Sequence, residues 1–136
     1  MEIFSSSPDD TEELAQKIAD KIKTGGIVCL YGDLGCGKTV FAQGLAKALG
    51  IKRTITSPTF LTMKSYGNFF HLDLYRIDQK ESLKGLDLEE ILSDKSNIVV
   101  IEWAEKIKNL LPKKRFDVSF EYINENTRRI SVEERN

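Results

Sequence analysis

At 136 residues with a formal net charge of −1, the chain is sized for one domain, residues 1–136, built around one hydrophobic core. Hydrophobic residues at 40% and charged residues at 30% are ordinary globular proportions, which exclude a wholly disordered chain and leave only Glu133 to Asn136 reading as disordered. The near-neutral balance excludes a broad nucleic-acid surface.

The first ten residues lack a basic stretch followed by an apolar one, so a secretory signal is not expected. No apolar run approaches the length of a membrane-spanning helix. The two cysteines, Cys29 and Cys36, neither staple a secreted scaffold nor have metal-site spacing. These features fit a cytoplasmic protein that does not engage a membrane.

Ser7-Pro8-Asp9-Asp10 reads as a helix start: a cap, a proline at the first helical position and acids at the positive end. Leu14, Ile18 and Ile22 then recur every four residues, with Ala15 and Ala19 beside them, as the apolar stripe of an amphipathic helix. Gly25-Gly26 stops it. Ile27 to Tyr31 is short and continuously apolar, which predicts a central strand covered on both faces. A glycine-rich loop follows, Gly32 to Gly37. Lys38 to Leu49 reads as a helix with Phe41, Leu45 and Leu49 on one side and Gly50 at its end.

Thr54 to Phe60 is polar and broken by Pro58, which holds Ser57 out of the helical region. Phe60 to Tyr66 predicts an edge strand, Gly67-Asn68 a turn, and Phe69 to Asp73 a strand with Asp73 at its carboxyl end. Gln79 to Leu92 is helical but interrupted near Gly85, with Asp87 as the cap of the second piece. Asn97 to Glu102 is the cleanest second core strand. Ala104 to Leu111 is a short helix ended by Pro112. Phe116, Val118, Phe120 and Tyr122 alternate with polar residues, as do Ile130 and Val132, which predicts an antiparallel hairpin. The basic spots Lys113-Lys114-Arg115 and Arg128-Arg129 read as a solvated loop and hairpin face. Direct contact with a nucleic acid is left open by them and not supported.

The sharpest feature is Gly32-Asp33-Leu34-Gly35-Cys36-Gly37-Lys38-Thr39, a full match to G-x-x-x-x-G-K-[ST] between a strand and a helix. Glycines let the backbone wrap a polyphosphate with its N–H groups pointing inward, and the helix adds its positive end. Asp33, Leu34, Gly35, Cys36, Gly37, Lys38 and Thr39 are therefore the candidate ATP-binding stretch. The Lys38 ammonium, expected on an exposed loop, can reach the β and γ phosphates. The Thr39 hydroxyl can ligate Mg²⁺. A glycine turn that merely caps a helix would explain the glycines and leave Lys38-Thr39 unexplained.

Such a site also needs an acid beside the magnesium and a group that orients water. Asp73 and Glu102 end apolar strands, where sheets of this kind present ligands. Glu102 follows the most hydrophobic strand, as a magnesium-side acid would. The alternative for each is a cap on the next loop. Lys38, Asp73 and Glu102 are the catalytic candidates, and Thr39 and Glu102 the metal candidates. His71, the one histidine, precedes Asp73 by two and can share its strand face; a packed, satisfied histidine is the commoner outcome. Trp103 is either packing or a cover over the site. Cys36 is a small loop residue, oxidisable where exposed.

The glycine-lysine motif, Ser57-Pro58-Thr59-Phe60, His71-Leu72-Asp73-Leu74-Tyr75-Arg76 and Ile101-Glu102-Trp103 occur here in the order found in the TsaE (YjeE) family, and the chain resembles that family from about Thr11 to Arg129. The resemblance implies a three-layer α/β P-loop fold with a mostly parallel central sheet; the C-terminal antiparallel hairpin rests on the alternation above and matches the family weakly. It implies slow, magnesium-dependent ATP hydrolysis in the threonylcarbamoyl modification of adenosine 37 of tRNAs reading ANN codons. It also implies partnership with the TsaD–TsaB complex, tRNA being met through that complex; self-association is left open. Thr39 and Glu102 would serve magnesium, Asp73 turnover, and Ser57 to Phe60 a switch. Cys36 departs from the alanine usual in the family. A small-molecule kinase and a non-catalytic ATP-dependent switch are the competing functions, and no arginine-rich lid supports the kinase.

Overall fold

A computed structural model describes residues 1–33, 36–51, 63–75 and 87–136. Leu34, Gly35, the Ser57 to Phe60 segment, Arg76 and the first part of the predicted 79–92 helix lie outside the described residues.

The elements run β1 (Glu2–Ser5), α1 (Pro8–Lys21), β2 (Gly26–Tyr31), α2 (Lys38–Ala48), β3 (Met63–Tyr66), β4 (Phe69–Asp73), α3 (Leu88–Ser93) and β5 (Ile98–Glu102). A 3-10 helix (Ala104–Leu110) and the strands β6 (Arg115–Asn124) and β7 (Thr127–Arg135) complete them. One seven-stranded sheet has the order β1-β7-β6-β2-β5-β4-β3. Its four inner strands, β6, β2, β5 and β4, run parallel. Antiparallel strands flank them, β7 and β1 on one side and β3 on the other.

The helix start at Ser7 forms as its residues dictate, with the Asp10 amide donating to Ser7 Oγ at 3.3 Å and Pro8 in the first turn. The sheet has a core on each face. On one, Leu14 and Ile18 of α1 and Phe41 and Leu45 of α2 pack on Val28, Leu30, Val100, Val118 and Phe120. On the other, Leu88 and Leu92 of α3 and Ala104 and Ile107 of the 3-10 helix cover Ile27, Cys29, Leu72, Val99 and Ile101. Residues of β2 and β5 alternate between the two cores, which is why both strands are apolar throughout.

Four findings depart from the sequence reading. β1 was not anticipated. The predicted hairpin forms from β6 and β7, but β6 also joins the parallel block through its pairing with β2. Asp87 stands at the start of α3 with φ 52° and ψ 41°, and its side chain makes no capping hydrogen bond. The chain at Glu133 and Glu134 is ordered: β7 extends to Arg135, which pairs with Arg115 and whose Nε donates to the Asp117 carboxylate.

Candidate nucleotide site

β2 ends at Tyr31 and hands the chain to the glycine loop. Gly32 adopts φ +140°, and a Cβ there would stand 2.7 Å from the Phe120 carbonyl oxygen and 2.8 Å from Cys36 Sγ. Only glycine lets the loop leave the strand this close to β6. Gly37 begins α2 in the left-handed region, at φ +102°, with open space where a Cβ would be. It supplies no side-chain cap, and the first turn of α2 holds no acid. The leading amides of a helix have no partner within it, and the helix dipole makes this end favourable to an anion.

Lys38 is the first residue of α2 and is not exposed as expected; it retains 5% of its accessible surface. Its ammonium donates to the Gly32 carbonyl and lies 3.7 Å from the centroid of the Trp103 ring. The stem is covered while the charge stays at the loop, a common resolution for a long cationic side chain. Thr39 follows, half-buried.

The two predicted acids are neighbours. Parallel pairing of β4 with β5 sets Asp73 directly beside Glu102. Side chains two apart on a strand share a face. His71 and Asp73 therefore lie on one face of β4, and Val100 and Glu102 on the same face of β5, which is the face covered by α1 and α2. The phosphate-loop helix and both carboxylates thus meet on one side of the sheet.

Their environments differ. Glu102 is buried and its Oε2 is 2.6 Å from His71 Nε2, with His71 itself fully buried. Asp73 is half-buried and accepts a hydrogen bond from the Tyr75 amide at 3.0 Å. Burial pushes the Asp73 carboxyl above the usual carboxylate value; the Tyr75 hydrogen bond opposes the rise, the Glu102 charge adds to it, and the Lys38 charge opposes it.

Trp103 follows Glu102 with φ 60° and ψ 42°, a conformation that is rare for a bulky residue. Its amide donates to the Leu30 carbonyl at 3.2 Å. Its ring meets Tyr75, centroid to centroid, at 5.1 Å. Trp103 is thus both packing and floor, beneath the Lys38 ammonium. Cys36 is 2% exposed, and burial raises its thiol pKa, so the oxidisable-thiol reading does not hold.

A family model described as threonylcarbamoyl adenosine biosynthesis protein TsaE matches residues 5–130. The chain belongs to the TsaE family. A Rickettsia felis protein named for TsaE is 39% identical over 135 residues, covering 96% of this chain and 78% of its own. A Bacillus subtilis protein of the same name is 34% identical over 129 residues, covering 92% and 80%. The crystal structure of Bacillus subtilis YdiB superposes with a TM-score of 0.81 at 28% identity, covering all of this chain and 86% of that one. As a TsaE-family protein with this fold, the chain is a nucleotide-binding P-loop protein of threonylcarbamoyladenosine biosynthesis. Lys38, Thr39, Asp73 and Glu102 all fall inside the family match.

The contact between His71 and Glu102 was missed by the sequence reading of this TsaE-family chain. Thirty-one positions separate the two, and only the register of β4 on β5 brings them together. The available signal was the shared spacing of two: His71 before Asp73, and Val100 before Glu102.

Proposed function

We propose that the chain binds Mg-ATP and hydrolyses it as an accessory ATPase of tRNA threonylcarbamoylation, acting on adenosine 37 through the TsaD–TsaB complex in the cytoplasm. The observation that carries this reading is the convergence of the loop lysine and two strand-end carboxylates on one face of the sheet. Lys38 and the leading amides of α2 would hold the phosphates. The Thr39 hydroxyl and the Glu102 carboxylate would hold magnesium. Their chemistry fits the ion: magnesium takes oxygen donors, commonly one or two protein ligands completed by substrate phosphate and water. Among the described residues no group of three or more His, Cys, Asp or Glu side chains could hold a metal ion. When bound, magnesium neutralises charge developing on the β and γ oxygens. Asp73, half-buried beside Glu102 on the same face of the sheet, is the residue proposed to orient the attacking water.

The accessory character is supported by what surrounds the site. Arg115 and Arg135 are tied to Asp117, Arg129 to Glu121, and Arg128 lies over Tyr122. None of these described arginines is disposed as a finger for the transferring phosphate. A partner is expected to supply that charge, which speeds related P-loop enzymes by roughly a thousandfold or more.

The test is phosphate release from this protein alone, with each partner and with both. Slow turnover alone and strong stimulation by TsaD–TsaB is the expected result. Fast, unstimulated turnover would reject the accessory role. Tight ATP binding with no release under any condition would reject catalysis and leave an ATP-dependent switch.

A further inference from the structure

The proposed magnesium role of Glu102 leaves a question of orientation. A glutamate has three rotatable bonds, and a ligand that is free to turn loses entropy on binding a metal. Glu102 is 3% exposed and His71 is 0% exposed, and their contact of 2.6 Å is buried. The histidine sits one pair back on the adjacent parallel strand, opposite Val100, while Glu102 faces Asp73. The contact is therefore a diagonal pair set by the sheet itself, on two of its inner strands.

The other ring nitrogen assigns the proton. Among the described residues, His71 Nδ1 is buried and finds no hydrogen-bond partner. A proton on Nδ1 would be a buried donor left unpaired, which is costly. A bare lone pair there is the lesser penalty. The neutral tautomer with its hydrogen on Nε2 satisfies the pair: Nε2–H donates and Glu102 Oε2 accepts. With Oε2 held by the histidine, Oε1 is the oxygen left for the metal.

We propose that His71 is a positioning residue whose Nε2–H clamps one oxygen of Glu102 and so presents the other to magnesium. This rests on the reading of Glu102 as a magnesium-side acid. The histidine touches neither nucleotide nor metal in this account. Partners that orient a metal-binding carboxylate or imidazole typically contribute about 10–100-fold to metal affinity or activity.

The test separates metal from nucleotide. ATP affinity is measured by titration calorimetry with excess EDTA and again across a magnesium series, for the wild type, Glu102→Gln, His71→Leu, His71→Asn and His71→Gln. His71→Leu removes the donor. His71→Asn keeps a donor but draws it back from Oε2, and His71→Gln places one near the position of Nε2. The expected result is metal-free ATP affinity like the wild type in all four variants. The gain in affinity on adding magnesium falls by roughly 10–100-fold in His71→Leu and His71→Asn and is largely restored in His71→Gln. The double variant His71→Leu/Glu102→Gln should be no worse than Glu102→Gln, because the two act as one unit. A Glu102→Gln protein that keeps its full magnesium gain overturns the Glu102 reading itself. A Glu102→Gln protein that loses the gain, while both His71→Leu and His71→Asn keep it, overturns the clamp alone. Equal loss in all three His71 variants, or loss of metal-free affinity along with the magnesium gain, also overturns it and leaves His71 a packing residue. Since His71→Asn and His71→Gln remain polar at the site, the comparison of these two decides the outcome even where His71→Leu fails to fold.

Discussion

The ammonium of Lys38 stands 3.7 Å from the ring centroid of Trp103, so the phosphate-loop lysine rests on the residue that follows the proposed magnesium acid. A cation over an indole face gains about 0.5–2 kcal/mol. Phosphate competes with that ring for the same charge. The chain has one tryptophan, so its emission reports the surroundings of Trp103, where Lys38 and Tyr75 both meet the ring. Adding ATP should change Trp103 fluorescence saturably. Lys38→Ala should abolish most of that change and weaken ATP binding by roughly 10–100-fold, the loss of one charge-assisted hydrogen bond or two. Its circular dichroism should stay native. Unchanged affinity in calorimetry would remove Lys38 from the site.

Glu102→Ala and Thr39→Ala should both lose magnesium dependence and partner-stimulated turnover, yet differ in stability. Removing the Glu102 carboxylate leaves the His71 Nε2–H buried and unpaired, a cost of about 1–3 kcal/mol. Thermal unfolding without nucleotide should show Glu102→Ala melting clearly below Thr39→Ala. Similar melting temperatures would argue that the pair at 2.6 Å contributes no net stability.

Asp73→Asn should lower partner-stimulated turnover by about 100-fold or more, as loss of a water-orienting acid does. Its stability should move the other way. The folded state holds the Asp73 proton above the usual 3.8, so the unfolded chain releases it first. Stability from this group is intact below 3.8 and lost as pH rises through the folded value. Asp73→Asn removes that loss. The half-exposed position keeps the gain small. Melts at pH 7 should show the rise and melts near pH 3.5 should not.

Neither thiol should react in the native protein. Burial, with Asp117 adding to it, pushes Cys29 up to about 12, and burial raises Cys36. Both are nearly inaccessible. Titration with a disulfide reagent at pH 8 should count none in buffer and two in guanidinium. Fast labelling of Cys36 without denaturant would mean that the glycine loop opens.

The parts of this protein legible from its residues are those whose signal is local. β2, the glycine loop and α2 declare themselves because an apolar run, a glycine pattern and a four-residue stripe each fit in a short window. The Gly67-Asn68 turn is local in the same way. β1 was illegible because four residues carry no measurable period, and its formation depends on β7 across the chain. The order of Glu133 and Glu134 was hidden for a related reason: a charged end reads as solvated until its partner strand is known. The acids Asp73 and Glu102 were visible as strand ends, but their adjacency was not. That and the His71 contact are consequences of register, which no single segment contains.

The position of β2 has a consequence for the growing chain. Its neighbours in the sheet are β5 and β6, both made long after the glycine-lysine motif. Gly32 rests against the Phe120 carbonyl, and the floor under Lys38 is Trp103. A nascent chain that has emerged as far as Gly50 carries the whole motif but none of these supports. Closing such distant pairings is slow relative to forming a helix. Nucleotide affinity should therefore appear late and abruptly during synthesis, when the last third of the chain is out.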